Sequence, residues 1–217
     1  MEIMTKRLHE KANILKDLCI HTNDISVGKI STDLPEGWHV MECEYKPKTN
    51  FKAIIYRKAN KVVFSFAGTD KKSIPDHCAN LQMAFGVINS QMKQANEFFQ
   101  NMRRRYVKPL DVVTLVGHSE GGSEATFVGI LNNIQTFTFN TYGISKKLIM
   151  KNKDYRDFII NYRNPHDIVS KLRRNPGLTF IIPSDCNLLK AHGIKNIGNC
   201  LNAVPIDIYK KNHLLFR

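Results

Sequence analysis

Near the start of the chain, apolar side chains recur at Leu8, Ala12, Leu15, Leu18 and Cys19, a spacing that predicts an amphipathic helix over Thr5–Ile20. The period then shortens. Gly37–Lys46 (GWHVMECEYK) and Phe51–Lys58 (FKAIIYRK) alternate as strands do, and the turn residues Pro47–Asn50 between them suggest a hairpin. Lys61–Gly68 (KVVFSFAG) is β-branched and aromatic and ends in glycine, which predicts a buried strand, and Asp111–Val116 predicts another. Helices are expected over Asn80–Tyr106, broken near Gly86–Ser90, and over Ser119–Leu131. Gln135–Asn140, Asp157–Tyr162 and Leu178–Ile182 complete the predicted strands, and Ala191–Ala203 reads as a final helix. Strands that alternate with helices predict an α/β fold with a mostly parallel central sheet and helices on both faces. No repeat and no proline- or glycine-rich linker divides the sequence, so a single domain over residues 1–217 is expected.

Composition narrows this picture. The longest apolar runs are far too short to span a bilayer. The first twenty residues hold scattered charges and no apolar block of the kind a secretory signal needs. The expectation is a protein cytoplasmic at synthesis, exported, if at all, by a leaderless route. The five cysteines, Cys19, Cys43, Cys78, Cys186 and Cys200, are widely spaced and form no CxxC pair. They read as free, mostly buried thiols rather than a disulfide framework or a zinc site. The 32 basic residues outnumber the 19 acidic ones, for a net charge of +13. Such an excess favours an anionic partner, a phospholipid surface above all, although a merely lysine-rich soluble surface explains it too. No RNA-binding aromatic signature or zinc-finger spacing accompanies it, so nucleic acid is not expected.

The candidate chemistry begins at Gly117-His118-Ser119-Glu120-Gly121. A strand precedes this G-x-S-x-G and a helix follows it, the context of a nucleophile elbow, in which glycines two residues either side of the serine remove the side chains that would clash. The turn would raise Ser119 above the carboxyl edge of the sheet at a helix N-terminus, where developing negative charge is favoured. The bland alternative is a glycine-rich turn with Ser119 as helix N-cap.

Three segments resemble the α/β-hydrolase family, and within it the class 3 lipases and related bacterial phospholipase-like proteins. Val62–Asp70 (VVFSFAGTD) is similar to the strand that ends in F-R-G-T/S. Val113–Gly122 (VTLVGHSEGG) resembles the elbow. Asn161–Leu172 (NYRNPHDIVSKL) with Ala191–Ile197 (AHGIKNI) resembles the acid and histidine segments. Thr136–Ile144 (TFTFNTYGI) also fits, so the likeness runs from Phe51 to Ile197. It implies an α/β-hydrolase fold and a serine esterase that acts on lipid esters.

A serine hydroxyl needs an imidazole base, and the imidazole needs a carboxylate to fix its tautomer. In this fold the chain order is serine, acid, histidine. His192, on a loop after the last clear strand, is favoured over His213, which lies close to the C-terminus. Asp167 follows the turn Asn164-Pro165 off a strand, and the resemblance points to it as well; Asp185 is the rival. His118, His166, Asp154 and Asp157 read as packing or surface residues. The oxyanion hole should use the backbone N–H of Glu120 and, by resemblance, Thr69.

Two departures stand out. Ala67 occupies the position of the family's usual arginine, and Glu120 that of a neutral residue. A carboxylate beside the oxyanion must be solvated or paired, and it shifts the expected substrate from triacylglycerol toward phospholipid. Lys71–Gly86 could be a lid or an ordinary covering segment. The leading expectation is a lipase or phospholipase A using Ser119, Asp167 and His192 through an acyl-enzyme, with no metal or organic cofactor. The alternatives are a thioesterase or small-ester hydrolase, and a non-catalytic basic module on a degenerate hydrolase fold that binds membrane or nucleic acid.

Overall fold

The computed structural model describes residues 2–24, 33–68, 90–151 and 153–214. Among these residues eight strands form one sheet, and their order across it is their order along the chain. They are β1 (His39–Lys46), β2 (Phe51–Lys58), β3 (Lys61–Phe66), β4 (Val112–His118), β5 (Thr136–Phe139), β6 (Ile159–Arg163), β7 (Leu178–Ile181) and β8 (Val204–Pro205). β1 and β2 form the expected antiparallel hairpin through Pro47–Asn50, with a register shift between Val40 and Glu42. β2 is antiparallel to β3, β3 to β7 run parallel, and β8 returns antiparallel to β7.

This order decides where the helices go. Parallel strands that always step the same way through right-handed crossovers place every crossover on one face. The crossover helices α2 (Ser90–Tyr106) and α3 (Glu120–Asn132) accordingly share a face. There Ala95, Phe98, Phe99, Ala125 and Val128 pack on Ala53, Ile55, Val62, Phe64, Phe66 and Leu115. The alternate residues of the same strands, Ile54, Tyr56, Val63 and Val116, point the other way. Only segments outside the crossovers can cover them. The first helix, α1 (Glu2–Asn23), does so with Ala12, Leu15, Leu18 and Cys19, joined by Ile194, Ile197 and Cys200. Polar contacts fix α1 in place: the Tyr162 and Tyr56 hydroxyls lie 2.7 Å from Nδ1 of His9 and His21, and Thr22 Oγ1 donates to Ser65 Oγ at 2.7 Å.

The predicted final helix over Ala191–Ala203 is not formed. The structure has a short helix α4 (Leu188–Ala191) and then 3-10 turns at Ile194–Asn196 and Cys200–Asn202. Asparagines explain the interruption: Asn187 and Asn199 each accept a backbone N–H two or three residues on, which starts a new turn each time. Helix α5 (Ile206–Leu214) and the two-residue β8 are additional to the predicted set. The predicted helix before Ser90 and the Lys71–Gly86 segment lie outside the described residues. Cys19 and Cys200 are buried free thiols, while Cys43 and Cys186 are half-exposed free thiols. Among the described residues no helix is long and apolar enough to cross a membrane.

Candidate active site

β4 ends at His118 and α3 begins at Glu120, which leaves Ser119 alone to turn the chain. It does so at φ 55, ψ −119, a conformation that costs a non-glycine residue about 1–3 kcal/mol and persists only where its surroundings hold it. Two close backbone approaches provide that hold. A Cβ on Gly121 would run into the Phe66 carbonyl of β3, and one on Gly117 into the Gly121 carbonyl. Ser119 N–H donates to Phe139 O of β5 at 3.1 Å. Although it occupies the N-cap position, the serine makes no side-chain cap hydrogen bond. Its hydroxyl oxygen lies 2.7 Å from His192 Nε2.

His192 follows α4 directly, and its Nδ1 lies 3.1 Å from Asp167 Oδ1. Asp167, on the turn after β6, is 1% exposed. Its carboxylate also accepts the backbone N–H groups of Val169 at 3.0 Å and Ser170 at 3.2 Å. The structure thus brings together Ser119, His192 and Asp167 from the carboxyl ends of β4, β7 and β6. The rivals stay apart from this line. Asp185, His166, Asp154 and Asp157 are exposed, and Asp154 pairs with Arg156. His118 turns away from Ser119 and donates through Nε2 to the His192 carbonyl at 2.8 Å. The side chain of His213 and all of Thr69 lie outside the described residues. Among the described residues no group of three or more His, Cys, Asp or Glu could hold a metal ion.

Several residues around the site carry no sequence role. Asn140, in the left-handed region at φ 45, donates to the carbonyls of Ala191 at 2.8 Å and His192 at 3.0 Å. Its Oδ1 accepts Asn164 N–H at 2.9 Å, so one side chain ties the histidine loop to the acid loop. Its place at the end of a strand in TFTFN was the available signal. Asn23, the last residue of α1, accepts Gly68 N–H at 2.8 Å and reaches His118 Nδ1 at 3.3 Å. Nothing local marks it, since its partners are distant in sequence.

The Glu120 side chain is not solvated. It is 9% exposed and lies beside the buried Tyr142 hydroxyl, which burial first and then the charges of Glu120 and Glu124 push well above its ordinary range. One helical turn on, Glu124 is 2% exposed, and its Oε2 has no hydrogen-bond partner. Burial pushes the Glu124 carboxyl well above its ordinary range, and the charge of Glu120 adds to the shift.

Comparison with known proteins agrees with this architecture. The lipase of Rhizopus microsporus var. chinensis superposes with a TM-score of 0.60 at 13% identity, covering 90% of this chain and 85% of that one. A triacylglycerol lipase of Penicillium expansum gives 0.60 at 12% identity, with 92% and 84% covered. A Rhizomucor miehei lipase propeptide complex gives 0.62 at 13% identity, with 89% and 80% covered. At such identities the likeness speaks for the fold, which is that of the α/β-hydrolases. No curated protein matches in sequence. The family described as Phospholipase-like, Tle-like phospholipase domain, matches residues 29–208, most of the chain. With this match over the elbow, the acid turn and the histidine loop, the chain belongs to the Tle-like phospholipase domain family.

Proposed function

We propose that this lipid ester hydrolase cleaves phospholipid acyl esters through an acyl-enzyme, with Ser119 as nucleophile, His192 as base and Asp167 as the orienting acid. The observation that carries this reading is the continuous line from Ser119 Oγ to His192 Nε2 (2.7 Å) and from His192 Nδ1 to Asp167 (3.1 Å). With His192 Nδ1–H donating to the Asp167 carboxylate, the Nε2 lone pair faces the serine and accepts its proton as Oγ attacks the ester carbonyl. The backbone N–H of Glu120, with Thr69, holds the tetrahedral oxyanion. His192 then gives its proton to the leaving alcohol. A water molecule, deprotonated in turn by His192, releases the fatty acid and restores Ser119. Each step closes on protein and water alone. The positive net charge supports peripheral contact with an anionic membrane surface and so a phospholipid substrate, while the buried Glu120 side chain withdraws the expectation that its carboxylate meets the substrate.

Labelling with a fluorophosphonate, followed by mass spectrometry of the products from phosphatidylglycerol vesicles, tests the reading. Wild type should label and release fatty acid and lysolipid. Ser119→Ala should abolish labelling and, like His192→Ala, lower the rate by on the order of 10⁴–10⁶-fold. A wild-type protein that does not label, or that clearly prefers tributyrin emulsion, overturns the chemistry or the substrate respectively.

A further inference from the structure

The turn that leaves β6 sorts its side chains by direction. Asp167, Val169 and Ser170 are buried toward the site, while Ile168 and Leu172 remain 59% and 38% exposed. Lys171 and Arg174 are exposed alongside them, and neither has an ion-pair partner among the described residues. The backbone is fixed from within: Lys171 N–H donates to Ile168 O at 3.0 Å and Leu172 N–H to Val169 O at 3.1 Å. The turn's backbone hydrogen bonds thus hold Ile168, Lys171 and Leu172 outward, and Arg174 is held by its carbonyl, which accepts Ile144 N–H at 3.1 Å.

Aliphatic and cationic side chains interleaved on one rigid turn fit an anionic bilayer, which takes the first into the acyl boundary and the second among its headgroups. A polyanion such as nucleic acid would leave Ile168 and Leu172 wet, and a neutral apolar partner would leave Lys171 and Arg174 unpaired. We propose that residues 168–174 form a membrane anchor that seats the protein on an anionic phospholipid surface with the Ser119 edge toward the lipid. This rests on the proposed lipid substrate and adds the surface by which the substrate layer is met.

The molecule contains its own control. Leu110, 87% exposed, stands with Lys108 and Arg103–Arg105, also an apolar and basic group. It lies before the start of β4, and at about 3.3 Å per residue the seven steps from Val112 to Ser119 separate the two edges by roughly 23 Å. Docking through Leu110 would turn the site away from the bilayer.

Sedimentation with vesicles, in full-length protein carrying Ser119→Ala to prevent hydrolysis, separates these outcomes. The parent should bind phosphatidylglycerol vesicles and not phosphatidylcholine vesicles. Ile168→Ser with Leu172→Ser should weaken binding at least tenfold, and Lys171→Gln and Arg174→Gln should weaken it roughly fivefold each. Leu110→Ser should change nothing. Thermal melting confirms that each variant is folded, and the single variants Ile168→Ser and Leu172→Ser, expected to weaken binding severalfold each, carry the test if the apolar pair is not. A parent that ignores phosphatidylglycerol, or binding that depends on Leu110 instead, overturns the anchor. So does binding lost with the cations alone, which would mark a polyanion site. Because hydrolysis is measured on wild type, an anchored but inactive protein would refute the esterase and leave the anchor standing.

Discussion

Glu124 is the residue whose chemistry least resembles its sequence environment. In a helix buried along most of its length, its carboxyl has one oxygen with no donor and lies a turn from Glu120. Its folded pKa is raised above the ordinary 4.5, so the folded protein holds this proton more tightly than the unfolded chain does. The contribution of Glu124 to stability is therefore full below about pH 4.5 and is lost as pH climbs toward the raised value. Glu124→Gln, a neutral shape mimic, should leave stability at pH 4.5 nearly unchanged and flatten its fall between pH 5 and 9, as read by urea unfolding. An equal slope in both proteins would show that Glu124 is ionised in the fold. The residues proposed for the chemistry, Ser119, Asp167 and His192, could be picked from the sequence because each stands in a short local motif. The sequence did not display Asn140, Asn23 or the Glu120–Tyr142 contact, because each joins segments that only the tertiary fold brings together.

At the scale of elements, the elbow is where local strain and packing meet. Its turn depends on α3 pressing its first residues against the end of β3, with no room for a methyl group on Gly121. Gly121→Ala must displace the Phe66 backbone or push Ser119 out of its φ 55 conformation. The expected outcome is a loss of several kcal/mol of stability, by analogy with overpacked cores and strained backbones, together with loss of fluorophosphonate labelling. A labelled variant with unchanged melting would mean that the contact yields. Elements with a sustained period, namely α1, β1 to β7, α3 and the described part of α2, were legible with ends shifted by a few residues. β8 has two residues and no period to read, and the turns after α4 follow side-chain caps rather than hydrophobic spacing.

At the scale of the molecule, one sheet face depends on a helix that belongs to no crossover. His9 is part of that cover, with Nδ1 near the Tyr162 hydroxyl and its ring edge-on to Phe180. Burial lowers its pKa below the ordinary 6.5, so the unfolded chain takes up the proton first. The contribution of His9 to stability is full above about 6.5 and declines as pH falls below it, toward the lowered value. The melting temperature of His9→Gln relative to wild type should be higher at pH 5.5 than at pH 7.5; a difference that does not change with pH would remove His9 from the account. The helix itself was predicted from its period. Its assignment to the far face followed only once the strand order was known.

That strand order also has a meaning in time. Since spatial order equals chain order, each strand leaving the ribosome finds its neighbour already made, and the sheet can grow from one edge without waiting for distant sequence. The proposed chemistry follows another schedule. Ser119 is synthesised before Asp167, and His192 later still, so every nascent chain passes through a long stage with a nucleophile and no base. On these roles, the hydrolase would be inert during most of its own synthesis and would become active only as the segment after β7 brings His192 back to Ser119.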